Sequence, residues 1–168
     1  MALDFVRSRS DLSTLAGVIG EVGGFTQAFD TDPAWKFTFF APNNDAFENT
    51  CTYYDTFAAT PKGKWWLGNT ILHHYVPNSE LTSSSFNETL QQFQTAMYLY
   101  VGSQVVDGTV VLKQVAKVVE SDLPVTSGVL HIVDHLLDPS AQIFMADTPR
   151  VSQTFIAGSC SHPSFSYC

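Results

Sequence analysis

The sequence predicts an α+β domain with its helices first and its strands later. Three observations carry that expectation: an early stretch with apolar residues at helical spacing, a later half of short β-branched runs separated by turn signals, and no βαβ alternation between them. At 168 residues the chain is long enough for one core. Its 45% hydrophobic and 13% aromatic residues supply the apolar surface that ordering the chain requires. Charged residues make up only 14%, below the roughly 25% of ordinary soluble domains, whereas Ser and Thr together number 32. A hydroxyl-rich surface with few ion pairs is therefore expected.

From Asp11 onward, Leu12, Leu15, Ile19 and Val22 recur at three- and four-residue spacing and define one helix face, with Gly23-Gly24 as its stop. Residues 1–10 read as a lead-in. A short turn carrying Phe25 and Phe29 leads through Asp32-Pro33 to Phe37-Thr38-Phe39-Phe40, an aromatic and β-branched run suited to a buried strand, which Pro42 ends. Asn43, Asn44 and Asp45 follow, and the Asp45-x-x-Glu48 spacing predicts a capped helix. Thr52 to Tyr75 reads as helix interrupted at Pro61 and Gly63, because Leu67, Ile71 and His74 share a face; Pro77 closes it. After the serines at 83–85, short strands are expected over 89–93, 97–101, 104–106, 110–112, 115–119 and 129–133. Asp107-Gly108 is the sharpest turn signal, since both central residues of a type I′ hairpin need positive φ. Residues 140–168 form an extension holding Cys160 and Cys168 in a Ser/Pro-rich tail, and a natural chain longer than this one is expected.

Eight basic against sixteen acidic residues give a net charge of -8, with no basic cluster beyond Lys62 and Lys64. Nucleic acid and anionic membrane surfaces are poor partners for such a chain. No apolar run approaches the roughly 20 residues of a membrane-spanning helix, and Asp4, Arg7 and Arg9 stand where a signal peptide would be apolar. Cys51, Cys160 and Cys168 fit neither a C-x-x-C motif nor zinc-finger spacing, so a disulfide is the expected use of two of them. Asn87-Glu88-Thr89 is a glycosylation acceptor and Asn49-Thr50-Cys51 a weaker one, which tilts the reading toward secretion or the cell surface.

His131-Ile-Val-Asp134-His135 imitates a helical metal motif, but in a strand its two histidines stand about 13 Å apart, too far to clasp one ion. No metal is expected, and His131 reads as a hydrogen-bonded histidine in or near the core. His73-His74-Tyr75 offers two imidazoles and a phenol for proton transfer, although neighbouring helical positions point apart. The pairs Trp65-Trp66 and Tyr53-Tyr54 suit packing better than a pocket lining. Neither a nucleophile elbow nor an S-x-x-K occurs, and Gly17, Gly20, Gly23 and Gly24 form no nucleotide-binding fingerprint, so no cofactor is expected.

Three segments in order resemble the fasciclin-like (FAS1) domain family. Phe37-Thr38-Phe39-Phe40-Ala41-Pro42-Asn43-Asn44-Asp45-Ala46-Phe47 is similar to its first homology motif and Ile71-Leu72-His73-His74-Tyr75-Val76-Pro77 to its central Tyr-His region. Thr126-Ser127-Gly128-Val129-Leu130-His131-Ile132-Val133-Asp134 with Leu136-Leu137 is similar to its second homology motif. The resemblance covers Asp11 to Pro139. It implies a small β-sandwich or wedge of strands with helices along one side, with Phe37, Phe39, Val129 and Ile132 in the core and Gly128 at a turn needing backbone freedom. In adhesive members an acidic residue, then Asp and an aliphatic residue before the second motif are implicated in integrin binding; the matching positions here are Glu120, Asp122 and Leu123. The Tyr-His pair of those members is reversed here, as His74-Tyr75.

Two functions follow as expectations. The first is a non-enzymatic extracellular or cell-surface adhesion module that binds a protein or glycan partner, with His73, His74, Tyr75, Glu120, Asp122 and Leu123 as binding candidates. The second, implied by fungal fasciclin-like proteins associated with natural-product pathways, is a cofactor-independent enzyme assisting cyclisation of an apolar small molecule, with His74 and Tyr75 as catalytic candidates.

Overall fold

A computed structural model of the chain describes residues 2–22, 36–50 and 52–139. The expected Gly23-Gly24 stop, the Phe25 and Phe29 turn, Cys51, Cys160 and Cys168 lie outside the described residues, and with them the disulfide. Five α-helices are described, α1 (Ala2–Ser8), α2 (Ser13–Glu21), α3 (Asn44–Glu48), α4 (Thr52–Phe57) and α5 (Pro61–His73), with short 3-10 turns at Ser10–Leu12 and Ser83–Ser85. The strands are β1 (Phe37–Pro42), β2 (Tyr75–Pro77), β3 (Gln91–Gln94), β4 (Tyr100–Val106), β5 (Thr109–Leu112), β6 (Ala116–Val125) and β7 (Gly128–Val133). They form one seven-stranded sheet in the order β2-β1-β7-β6-β5-β4-β3. The architecture is α+β, as the order of patterns predicts.

At the centre β1 and β7 run parallel, from Phe37 beside Gly128 to Pro42 beside Val133, and every residue of both strands is buried. A strand buried on both faces reads as a continuous apolar run, which is how both segments look in sequence. On one face Phe37, Phe39, Leu130 and Ile132 pack with Leu12, Leu15, Ile19 and Ile71 of the helices. On the other, Phe40 and Val133 join Phe86, Val101, Leu112 and Leu137 in a second core beneath the β3–β5 half of the sheet. The sheet turns between its halves along β6, which pairs with β5 at Ala116 and Lys117 and with β7 from Val118 onward, with register shifts between Val118 and Glu120 and between Glu120 and Leu123. Extra residues of this kind bend a strand and sharpen its twist.

Local chemistry explains where elements differ from expectation. The lead-in is helical: Ala2, Leu3 and Val6 are buried in the helix-side core, so α1 forms through tertiary packing. The cap of α3 is Asn43, whose Oδ1 accepts the Ala46 N–H at 2.9 Å, while Asn44 reaches back to the Ser10 carbonyl and the Thr14 N–H. Helix α5 stops at His73, and Tyr75–Pro77 becomes an edge strand on β1, where proline costs no ladder bond. Strand β4 runs unbroken through Gly102, and Asp107 and Gly108 take the positive φ values of 50° and 77° that their hairpin requires. Lys113 and Gln114 also have positive φ, with no glycine or asparagine to announce it.

Gly128 serves space rather than backbone freedom, since it is not among the positive-φ glycines. A Cβ there would lie 2.4 Å from the Phe37 carbonyl oxygen, a backbone atom of the neighbouring strand. Gly128→Ala is therefore expected to lower unfolding stability by about 1–3 kcal/mol in urea titration. Gly17→Ala, on an exposed helix position with nothing within 4 Å, is expected to raise it by about 0.5–1 kcal/mol.

Candidate functional site

The chemistry-bearing residues converge where α5, the loop after β2 and the β6 bend meet the central strands. His74 caps α5 and is fully buried. Its carbonyl accepts the Phe40 N–H at 3.0 Å, and its Nδ1 lies 2.6 Å from the Phe40 carbonyl oxygen. Its Nε2 accepts the Leu137 N–H at 2.9 Å. A carbonyl only accepts and an N–H only donates, so the ring is neutral with its proton on Nδ1. Both nitrogens are thus committed, and burial pushes the pKa down to about 3 against the partial support of the Phe40 carbonyl.

His73 is equally buried. Thr95 gives its hydroxyl proton to the Leu99 carbonyl, so His73 Nδ1 donates to Thr95 Oγ1 at 3.0 Å and Nε2 is left without a partner. Burial, reinforced by the nearby Lys113 ammonium, lowers the His73 pKa to about 4. Lys113 donates to the Asp138 carbonyl, and burial brings its own pKa down to about 8. Tyr75 stacks on Phe37 at 5.1 Å between centroids, and burial raises its phenol pKa.

His131 stacks on the Phe40 ring and meets the Phe86 ring edge to face, donates through Nε2 to the Leu81 carbonyl at 2.7 Å, and accepts the Asp122 N–H at Nδ1 at 3.3 Å. That N–H belongs to the irregular part of β6, so the histidine satisfies a donor the ladder leaves over. Burial lowers the His131 pKa. The three residues matched to the adhesive pattern sit on this bend. Glu120 pairs with Arg9 at 2.7 Å, and Arg9 also holds Asp11 at 2.8 Å. The Asp122 carboxylate takes the Ser83 N–H at 2.6 Å and the Ser83 hydroxyl; burial opposes ionisation, yet these bonds hold its pKa below the ordinary value. Leu123 packs on the helix-side core. All three are engaged within the domain, beside a loop that Thr38 also fastens through the Ser79 carbonyl and Leu81 N–H.

The chain belongs to the fasciclin domain family. The Fasciclin domain model matches residues 10–139. Among solved structures, the chain is similar to the FAS1 domain pair of the insect cell adhesion molecule Fasciclin I, with a TM-score of 0.67 and 16% identity, over 80% of this chain and 49% of that one. The likeness at that identity is one of fold, and this chain spans about half the length of the pair. No curated protein matches the chain. In fasciclin terms, the central motif and the second homology motif supply structural histidines: His74 and His131 each tie backbone groups from separate segments.

Two features of this fasciclin domain escaped the sequence. One is the outer face of the β3–β5 half, where Gln92, Gln94, Tyr100, Gln104 and Val106 point away from the core on paired strands, with Tyr98 and Leu90 exposed beside them. Its signal was the alternation through 100–106, which a glycine and two hydroxyl or amide residues obscured. The other is a cleft of about 260 Å³ between the end of α3, Trp66 of α5 and the segment after β7, lined by Asn49, Thr50, Trp66, His135 and Asp138. Trp66 packs on Phe57 and is nearly buried, whereas its neighbour Trp65 is exposed. Among the described residues no group of three His, Cys, Asp or Glu is placed to hold a metal ion, and no helix is long and apolar enough to cross a membrane.

The buried histidines dictate a pH response. Their folded pKa values lie below the unfolded value of about 6.5. The unfolded chain therefore binds protons first, and stability falls as pH drops through 6.5. Across pH 6 to 4.5 His73 and His74 together are expected to contribute a slope of up to about 2.7 kcal/mol per pH unit. Urea midpoints measured from pH 8 to 4.5 check this, and His73→Leu, which also removes the unpartnered Nε2, should flatten the curve.

Proposed function

We propose that this fasciclin domain is a non-enzymatic extracellular or cell-surface interaction module that binds a protein or glycan partner through the outer face of the β3–β5 half-sheet. Fasciclin domains commonly take part in adhesion and protein interactions, and they are typically extracellular. The observation that carries the reading is composition. In a chain of net charge -8, this face presents Tyr98 at 82% and Tyr100 at 51% exposure, with Leu90, Val106 and three glutamines, of which Gln94 and Gln104 also donate to the Tyr98 and Glu88 carbonyls; Lys117 is the charged residue of its paired strand positions. Tyrosine rings and side-chain amides suit neutral surfaces with hydroxyl and amide groups: the rings stack at small entropic cost, and the amides donate and accept. The small-molecule reading centred on His74 and Tyr75 draws no support from that pair, because both His74 nitrogens are taken.

Asn87 supports the extracellular part. It is exposed, and its side-chain oxygen accepts the Thr89 N–H at 2.9 Å, leaving the amide nitrogen that would carry a glycan outside this bond. Asn49 spends its amide nitrogen on the Asp134 carbonyl. Secretion from a eukaryotic host should add one glycan at Asn87, read as a mass loss on amidase treatment that Thr89→Ala abolishes.

For the binding face, the domain is assayed against immobilised matrix proteins and insoluble cell-wall polysaccharides. Saturable binding to one of them is expected, weakened about tenfold or more by Tyr98→Ala with Tyr100→Ala at unchanged melting temperature. Absence of saturable binding, or an unaffected double variant, refutes the reading.

A further inference from the structure

We propose a second site, independent of the binding face: the cleft between α3, α5 and the segment after β7 is a general-base site for a neutral, fragment-sized molecule, with His135 Nε2 as the proton acceptor and Asp134 as its positioning residue. His135 lines the cleft and is the partly exposed histidine of the described residues, the other three being fully buried. Its Nδ1 lies 2.8 Å from Asp134 Oδ1. A carboxylate only accepts, so Nδ1 carries the proton, and in the neutral ring the lone pair is on Nε2. That nitrogen has no partner among the described residues.

The carboxylate is itself fixed. Asp134 Oδ1 accepts the Lys117 N–H at 2.7 Å, the Asp134 N–H donates to the Lys117 carbonyl at 3.2 Å, and the Asp134 carbonyl takes the Asn49 amide at 2.9 Å. A base oriented through its second nitrogen by an anchored acid is the arrangement that proton abstraction needs. Trp66 and Leu136 give the cleft apolar walls, and Asp138 in its lining, with Asp134 bonded to His135, disfavours an anionic guest. At about 260 Å³ it falls just below the roughly 300 Å³ at which pockets for drug-sized ligands begin.

The probe is 5-nitrobenzisoxazole, a neutral bicyclic molecule that reports a base in an apolar site. His135 Nε2 takes the ring C–H proton, the C–H electron pair completes a nitrile as the N–O bond breaks, and the charge leaves on the phenolate oxygen. Saturable phenolate release is expected, with kcat/KM reduced at least about tenfold in His135→Gln. Asp134→Asn should lower kcat with KM within about twofold, because an amide facing Nδ1 favours the wrong tautomer. Tyr98→Ala should leave the elimination unchanged, and His135→Gln should leave partner binding unchanged, so this site and the binding face fail separately. Release that is linear in probe, or His135→Gln within about twofold of the parent, overturns the proposal. Should a variant not fold, imidazole nitrogen shifts of the unaltered protein decide: His135 protonated on Nδ1, with Nε2 and the Trp66 indole perturbed by the probe, supports it, and an unperturbed His135 refutes it.

Discussion

One residue holds the ends of the central strands together. At the point where α5 hands over to β2, His74 meets Phe40 through both its carbonyl and its Nδ1, and meets Leu137 through Nε2. Phe40 lies in β1, while Leu137 follows β7, so a single side chain spans the parallel pair on which both cores are built. The groups it satisfies are backbone N–H and C=O groups with no access to water, each of which would cost about 1–3 kcal/mol if left unmet. A hydrophobic side chain of equal volume could fill the space, but it would leave the Leu137 N–H and the Phe40 carbonyl without those partners. The neutral imidazole is well suited to the place because it donates at one end and accepts at the other.

His131 repeats the device on the second core, bridging the Leu81 carbonyl and the Asp122 N–H, and the Asp122 carboxylate in turn fastens Ser83. Residues that look reactive in sequence are thereby drawn into holding a loop against a bent strand. The same bend places Glu120 beside Arg9, which joins the N-terminal helix region to β6. An exposed pair of this kind adds little stability, about 1 kcal/mol or less. The buried bonds of His74 and His131 carry more weight.

Much of the fold was legible because its strongest constraints are local or two-sided. Phe37 to Phe40 and Val129 to Val133 advertise strands buried on both faces, and Leu12, Leu15 and Ile19 advertise a helix with one face buried. What was illegible depends on distant partners. Helix α1 exists because Ala2, Leu3 and Val6 find a core, and the strand continues past Val119 through Glu120, Ser121 and Asp122 because His131 and Arg9 receive them. Asn43 rather than Asp45 caps α3, a choice between adjacent residues that only backbone direction settles. Of the candidate site, the histidines were legible as residues but not as roles. His74 and His131 have neighbours supplied from 34 to 63 and from 9 to 50 positions away. His135 gains its role from Asp134 next to it, yet the cleft it lines requires α3 and α5.

Where function can reside follows from the way the sheet is covered. The β1 and β7 positions are all buried, with helices on one face and the other half of the sheet on the opposite face, so the best-defined strands of the domain have no surface to offer. In the β3–β5 half one face closes the second core through Phe93, Val101 and Leu112, and the other is left over. Its residues escape the demand for burial. The cleft arises by the complementary route, where the chain leaves β7 and has not yet closed against α3 and α5. A fold that commits His74 and His131 to backbone groups thus leaves a sheet face and a seam open among the described residues, two places that share no side chain.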